Sequence, residues 1–261
     1  MKKSCISILF IMMFVVTYAQ EGSTAWGDGK ITLVNGITLK GKISVAHEFS
    51  QDLVLVHREG KWETYASHQV NYFEFWDQKQ GGLRKFFALP HQDKEGSPGK
   101  AFFELLTDGE NLTLLARRTI EEIQPVKLRS KLKQDLLSEA PVSVPLKENT
   151  EQWYRFLKIV KDDSKLKAFE VKIFESLYFI DALGRLRRYT YDHSRKLLST
   201  NYTKFEKKLF YELTLDKKLE IQEYIKDHKF DIKHKKDLIQ VIDYYNRIKA
   251  FDNGLSQEKI F

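Results

Sequence analysis

The sequence predicts an α+β protein: an N-terminal antiparallel β unit forming a small barrel or sandwich, then a short β-hairpin and a C-terminal cluster of about three helices. Three observations predict it. Up to residue 125, apolar residues alternate in short runs broken by Asn-Gly, Glu-Gly and Asp-Gly, the pattern of strands and hairpins. From Thr203 onward the apolar spacing becomes three and four, the period of helices. Between them, Pro141 and Pro145 punctuate a segment that reads as a connector. The expected organisation is a leader over 1–19, a β-rich unit over 20–125, a linker over 126–150 and an α+β unit over 151–261.

The leader follows from three features. Lys2 and Lys3 precede an unbroken apolar run from Ile8 to Val16, and Thr17-Tyr18-Ala19 ends on the small residue that signal peptidase prefers. The run falls short of the roughly 20 apolar residues that span a bilayer, so cleavage after Ala19 is expected and no transmembrane segment after it. Cys5, the single cysteine, leaves with the leader. A cysteine-free mature chain excludes disulfides, thiolate nucleophiles and cysteine-ligated zinc. An exported protein without cysteine fits the bacterial cell envelope, either in the periplasm, associated with the outer membrane, or secreted.

The β unit reads in order. Lys30 to Val34 leads into Asn35-Gly36, expected as a type I′ turn. Ile37, Leu39, Ile43 and Val45 then share one face, with Gly41 as a bulge or bend. Asp52 to His57 and Lys61 to Ser67 flank Glu59-Gly60, and the aromatic run Val70 to Trp76 is expected to be buried on both faces. Strands follow at Arg84–Leu89, Ala101–Thr107 and Leu112–Arg118, the last two joined by Asp108-Gly109.

Within the linker, 127–137 could form a short helix. Beyond it, Phe169 to Asp181 alternates as a strand, and Asp181–Gly184 turns the chain into Arg185–Tyr189. Helices are expected over Thr203–Tyr211, Asp216–His228 and Lys235–Phe251, the last with Leu238, Val241, Ile242, Tyr245 and Ile248 along one stripe.

Charge divides unevenly. Residues 20–125 hold 12 Lys+Arg against 15 Asp+Glu, a net of −3, whereas residues 126–261 hold 29 against 21, a net of +8. Such asymmetry can reflect an anionic partner, but the interspersed acids favour plain solvation of helix surfaces by lysine.

Two stretches carry a resemblance. Gly29 to Ile43, with Phe102-Phe103-Glu104-Leu105-Leu106-Thr107-Asp108-Gly109 and Leu112 to Arg118, resembles the β-rich front part of uncharacterised exported proteins of Gram-negative bacteria. Tyr178-Phe179-Ile180-Asp181, Gly184, Ile221 to Ile225, Asp237-Leu238-Ile239 and Tyr244-Tyr245-Asn246 resemble their tail. The resemblance implies an envelope location and the two-part architecture, and brings no activity, cofactor or catalytic residue with it. The first strands also look like a small SH3-type or Sm-like barrel.

The chain carries no catalytic signature. Its seven histidines are scattered, with His57 and His68 the best-placed pair, and there is no Gly-x-Ser-x-Gly elbow or phosphate-binding loop. No cofactor and no metal site are expected. The local constellation that stands out is Arg185, Arg187 and Arg188 with Tyr189, Tyr191, Arg195 and Lys196, which suits contact with an anionic ligand but reads first as a solvated face at a strand end. Export argues against nucleic acid and for anionic envelope lipid or polysaccharide. Trp26, Trp62 and Trp153 could line a sugar-binding face, with Trp76 expected in the core. Three functions stay open: a non-enzymatic envelope protein acting through protein–protein contact, a binder of anionic lipid or glycan, and a hydrolase whose site is assembled across strands.

Overall fold

The computed structural model describes residues 26–45, 52–78, 81–92, 96–127, 142–145, 153–162, 165–194 and 201–252. The expected leader over 1–19, most of the 127–137 segment, Arg195 and Lys196 lie outside these residues.

The strands are β1 Gly27–Leu33, β2 Thr38–Val45, β3 Leu53–Arg58, β4 Lys61–Ala66, β5 Val70–Asp77, β6 Gly82–Gln92, β7 Pro98–Thr107, β8 Leu112–Val126, β9 Val142–Pro145, β10 Trp153–Asp162, β11 Lys165–Asp181, β12 Leu186–Arg188, β13 Thr190–Ser194 and β14 Asn201–Phe205. The helices are α1 Lys207–Leu213, α2 Lys218–His228 and α3 Lys235–Asp252. Among the described residues, twelve strands form one antiparallel sheet in the order β4-β3-β2-β1-β5-β6-β7-β8-β11-β10-β9, with β12 also on β11; β13 and β14 pair separately. The expected strand-rich α+β chain with three C-terminal helices is what forms.

Turn chemistry sets the first hairpins. Glu59 and Gly60 both have positive φ, as a two-residue type I′ loop requires between the paired Arg58 and Lys61. At Asn35-Gly36 the expected type I′ turn is replaced by a three-residue loop. Only Gly36 has positive φ there, Gly36 N–H donates to the Leu33 carbonyl (3.0 Å) and Leu33 N–H to the Ile37 carbonyl (2.9 Å). Asn35 does not take the positive φ of a type I′ turn, and its side-chain oxygen accepts the Ile37 N–H at 3.1 Å. Gly41 makes no bulge: it stands in register opposite Gly29, and a Cβ on it would lie 2.6 Å from the His57 carbonyl oxygen.

Three apolar layers hold the chain. The first joins Ile31, Ile43, Val54, Val56, Val70, Phe73, Phe75, Phe86 and Phe102 from β1, β2, β3, β5, β6 and β7. Phe73 stacks on Phe86 at 4.7 Å and meets Phe102 edge-on at 5.0 Å. The second packs all three helices on one face of β8 and β11, through Leu112, Leu114, Leu177 and Phe179 against Phe210, Ile221, Leu238, Val241 and Ile242. The third lies on the opposite face, where Ala101, Phe103, Leu115 and Tyr178 cluster. Strand β8 therefore serves two layers with alternate residues.

The β4 end of the sheet folds back towards β7 without a ladder between them. Pairing of β7 with β8 begins only at Glu104, so among the described residues no strand pairs with the start of β7 on that side. Side chains fill the gap: the Asp52 carboxylate accepts the Phe102 N–H (3.2 Å), and Ser67 Oγ donates to the Lys100 carbonyl (2.6 Å).

The first helix begins at Lys207 rather than at Thr203, because 201–205 pair with β13 as a strand. Trp76 departs from its expected core position. Phe75 and Asp77 take the buried side of β5, and strand alternation turns Trp76 to solvent, half exposed.

Candidate functional site

Two regions gather side chains that core packing does not consume. The first is a solvent-facing row across the early strands. Trp62 on β4 pairs with His57 on β3, His57 with Lys42 on β2, and Lys42 with Asp28 on β1. The β1–β5 register, Gly29 opposite Phe75, sets Trp76 beside Asp28, and Trp76 pairs with Leu83 on β6. Alternation with the buried Ile43, Val56 and Phe75 fixes this row on the outer face. Trp62 is 63% exposed, Trp76 50% and Leu83 60%, high values for large apolar groups. Trp62 is held by neighbours rather than swinging free: its ring lies 4.3 Å from the His57 ring and meets Trp26 edge-on at 4.8 Å. Three of the four tryptophans thus belong to one face, including Trp76; the Trp153 side chain is not among those described.

The second region is a seam where β8 leaves β7 and turns to β11. Arg117 on β8 spans it, donating through Nη2 to the Asp52 carboxylate (3.3 Å) and contacting His91 Nε2 through Nη1 (3.1 Å). Its side chain is 10% exposed, and its Nε is buried with no hydrogen-bond partner. The cross-strand neighbour of Arg117 is Ser176, fully buried, whose Oγ accepts from Arg188 Nη2 at 2.8 Å. Arg188 also donates through Nε to the Thr190 carbonyl (2.7 Å) and packs on the rings of Tyr191 and Tyr178. Tyr178, Phe103 and His91 form the aromatic floor, with Phe103 and Tyr178 edge-on at 5.0 Å.

The arginine cluster read from sequence divides in space. Arg185 is held by Asp181, whose Oδ2 accepts from Nε at 2.7 Å while Oδ1 accepts the Leu183 and Arg185 N–H groups. Burial works against ionisation of Asp181, but these donors outweigh it and keep the carboxyl below its ordinary range. Arg187 turns to the helix side and faces Glu212 of α1 at 3.8 Å. Arg188, one residue on, points to the other face and joins the seam. Neighbouring residues on a strand must separate this way, so a run of arginines in sequence becomes a single arginine at each of three places. Arg117, His91, Asp52 and Ser176 escaped notice because they lie up to 124 residues apart in sequence.

A third charged cluster is structural. Glu175, 1% exposed, accepts from Arg118 Nε at 2.9 Å and Lys235 Nζ at 2.5 Å, tying β8, β11 and α3 together. Burial pushes its carboxyl up, and the Arg118 and Lys235 charges more than reverse this, so it stays ionised below the usual carboxylate range. Arg84 is likewise enclosed, bidentate on Glu104 (2.6 and 2.7 Å) and 3.0 Å from Asp77.

Among the described residues, no three His, Cys, Asp or Glu side chains gather as a metal site, and no helix is long and apolar enough to cross a membrane. Set beside known proteins, the chain matches no family model, no curated protein and no solved structure, so its sites are read from their own geometry.

Proposed function

We propose that this is a non-enzymatic protein of the bacterial envelope that acts through protein–protein contact, with the outer row from Trp62 to Leu83 as its contact face. The observation that carries the reading is the exposure of Trp62, Trp76 and Leu83 on one side of a rigid sheet. Large aromatics supply much of the binding energy in protein interfaces, and Lys42 and Asp28, which lie between Trp62 and Trp76 in the row, add charges of both signs for register. The leader-like start of the chain and its resemblance to exported Gram-negative proteins support the location. We read β1 to β7 as a small barrel of SH3 type, left open where Asp52 and Ser67 bridge to β7, since a 3-10 turn at Ser67–Gln69 links β4 to a β5 that pairs with β1.

The test is an in-cell crosslink and pull-down of C-terminally tagged protein from envelope fractions, with an unrelated exported protein as control. A partner captured by the native chain and lost in a Trp62→Ala/Trp76→Ala double variant supports the reading. Equal capture by both chains removes this face from the proposal.

A further inference from the structure

We propose that the seam between β8, β11 and β12 is a binding site for a phosphate group, held by Arg117, Arg188 and Ser176. It stands apart from the protein-contact reading, and either can fail without the other.

Arg117 and Arg188 reach the same face of the sheet on either side of Ser176. Arg117 is directly across the β8–β11 ladder from Ser176, and Arg188 reaches it from β12. Each guanidinium is fixed by two bonds that leave one of its three nitrogens without a described partner. Nη1 and Nη2 of Arg117 are engaged by His91 and Asp52, leaving the buried Nε unsatisfied. Nε and Nη2 of Arg188 are engaged by Thr190 and Ser176, leaving Nη1 without a partner among the described contacts. A native interior seldom leaves an arginine donor unsatisfied, so an orphan Nε in a cationic seam marks a place for an acceptor.

The local charge gives the sign of that acceptor. Among the described residues the seam brings two guanidinium groups and one carboxylate, Asp52, which bonds Arg117 and also spends an oxygen on the Phe102 N–H, so its described side chains are net positive. The donor directions give its shape. One unspent nitrogen belongs to β8 and one to β12, with the Ser176 hydroxyl on β11, the strand between them, so the donors are spread over three strands rather than paired on one arginine. A planar carboxylate is met by a paired fork on one arginine, whereas single donors from several directions suit a tetrahedral oxyanion. Tyr178 and Tyr191 beneath Arg188 hold its guanidinium in place before binding. Free phosphate and the phosphomonoester headgroup of a lipid present the same chemistry to such a site.

The experiment is NMR titration of the full mature chain, reading arginine Nε–Hε resonances while inorganic phosphate replaces chloride at constant ionic strength. The expected result is a saturable shift of the Arg117 Nε–Hε signal, with apparent affinity weakened about tenfold or more in Arg188→Gln and unchanged in Arg185→Gln and Arg187→Gln. A second arm uses vesicles of phosphatidic acid in phosphatidylcholine against phosphatidylcholine alone. A shift with inorganic phosphate supports a soluble ligand, and a shift confined to phosphatidic acid vesicles supports a lipid headgroup. No saturable shift in either arm overturns the proposal, as does an equal response to acetate. The native chain alone decides the main outcome, so poor folding of a variant does not leave the question open.

Discussion

Asn246 of α3 holds Leu112 of β8 by both backbone polar groups: the Leu112 N–H donates to Oδ1 at 3.1 Å, and Nδ2 donates to the Leu112 carbonyl at 2.8 Å. A side-chain amide here does the work of a neighbouring strand at the first residue of β8. Thr107, at the end of β7, donates to Asp243 one turn earlier on α3, so the helix caps the whole β7–β8 connection. Gly109 in that connection lies so close that a Cβ would meet the Asn246 amide at 2.1 Å.

Replacing Asn246 by Ala leaves two backbone groups of a buried residue without partners. The expected loss is about 2 to 4 kcal/mol, from roughly 1 to 3 for each unsatisfied group less what water recovers. Gly109→Ala should also destabilise, by displacing the same amide. Urea denaturation of the two single variants and the double variant checks this, because two changes acting on one contact should fall well short of additive.

Glu175→Gln removes the anion that Arg118 and Lys235 share in a buried setting. The expected cost is about 3 to 5 kcal/mol at neutral pH, the range for leaving buried charge uncompensated. The pH dependence has a definite sign. The folded carboxyl titrates below its ordinary value of 4.5, so the native contribution is full above that value and is lost as pH falls through the lower folded pKa. Stability measured from pH 7 down to pH 3 should therefore fall less steeply in the Gln variant than in the native chain.

Phe73→Ala and Trp62→Ala separate core from surface. Phe73 is fully buried and in ring contact with Phe75, Phe86 and Phe102, so its loss should cost about 3 to 5 kcal/mol. Trp62, largely exposed, should cost about 1 kcal/mol or less. A Trp62→Ala cost near that of Phe73→Ala in thermal denaturation would place Trp62 in the core and remove it from the proposed contact face.

At the β3–β4 turn, Glu59 occupies a positive-φ position that asparagine tolerates better. Glu59→Asn should raise stability by about 0.5 kcal/mol, whereas Gly60→Ala should lower it by about 1 kcal/mol, because its φ of 74° is strained for any residue with a Cβ. Denaturant midpoints of the two variants should move in opposite directions.

The parts of this fold legible in sequence are those fixed by local chemistry. Period-two runs placed β1 to β7 and the start of β8, which continues eight residues past the expected Arg118 to Val126, and the stripe Leu238, Val241, Ile242, Tyr245 marked the buried side of α3. What escaped depends on partners distant in sequence. Trp76 looks like core in an aromatic run, yet β5 has one buried face and one open one, and which residue falls on which is settled by its pairing with β1 and β6. Residues 201–205 keep a helix-compatible pattern and form β14 because β13 offers a ladder. The seam is the extreme case: Arg188 stands out in sequence as part of an arginine run, but Asp52, His91, Arg117 and Ser176, which join it from four other elements or their borders, each read alone as an ordinary residue.

Strand β8 has a further consequence for how the chain comes to be folded. Leu112 pairs with Asp181, 69 residues later in sequence, so the ladder that completes β8 cannot form until β11 has been made and delivered. Contacts of such separation carry a somewhat larger loop-closure entropy than hairpin contacts, and folds rich in them fold more slowly. Until then Leu112, Leu114 and Ala116 have neither β11 beside them nor the helices above them, while the β1–β7 strands that precede them can already assemble. The late arrival of β11 is therefore the expected rate-limiting step, and an unshielded β8 is the segment on which a holding chaperone would act.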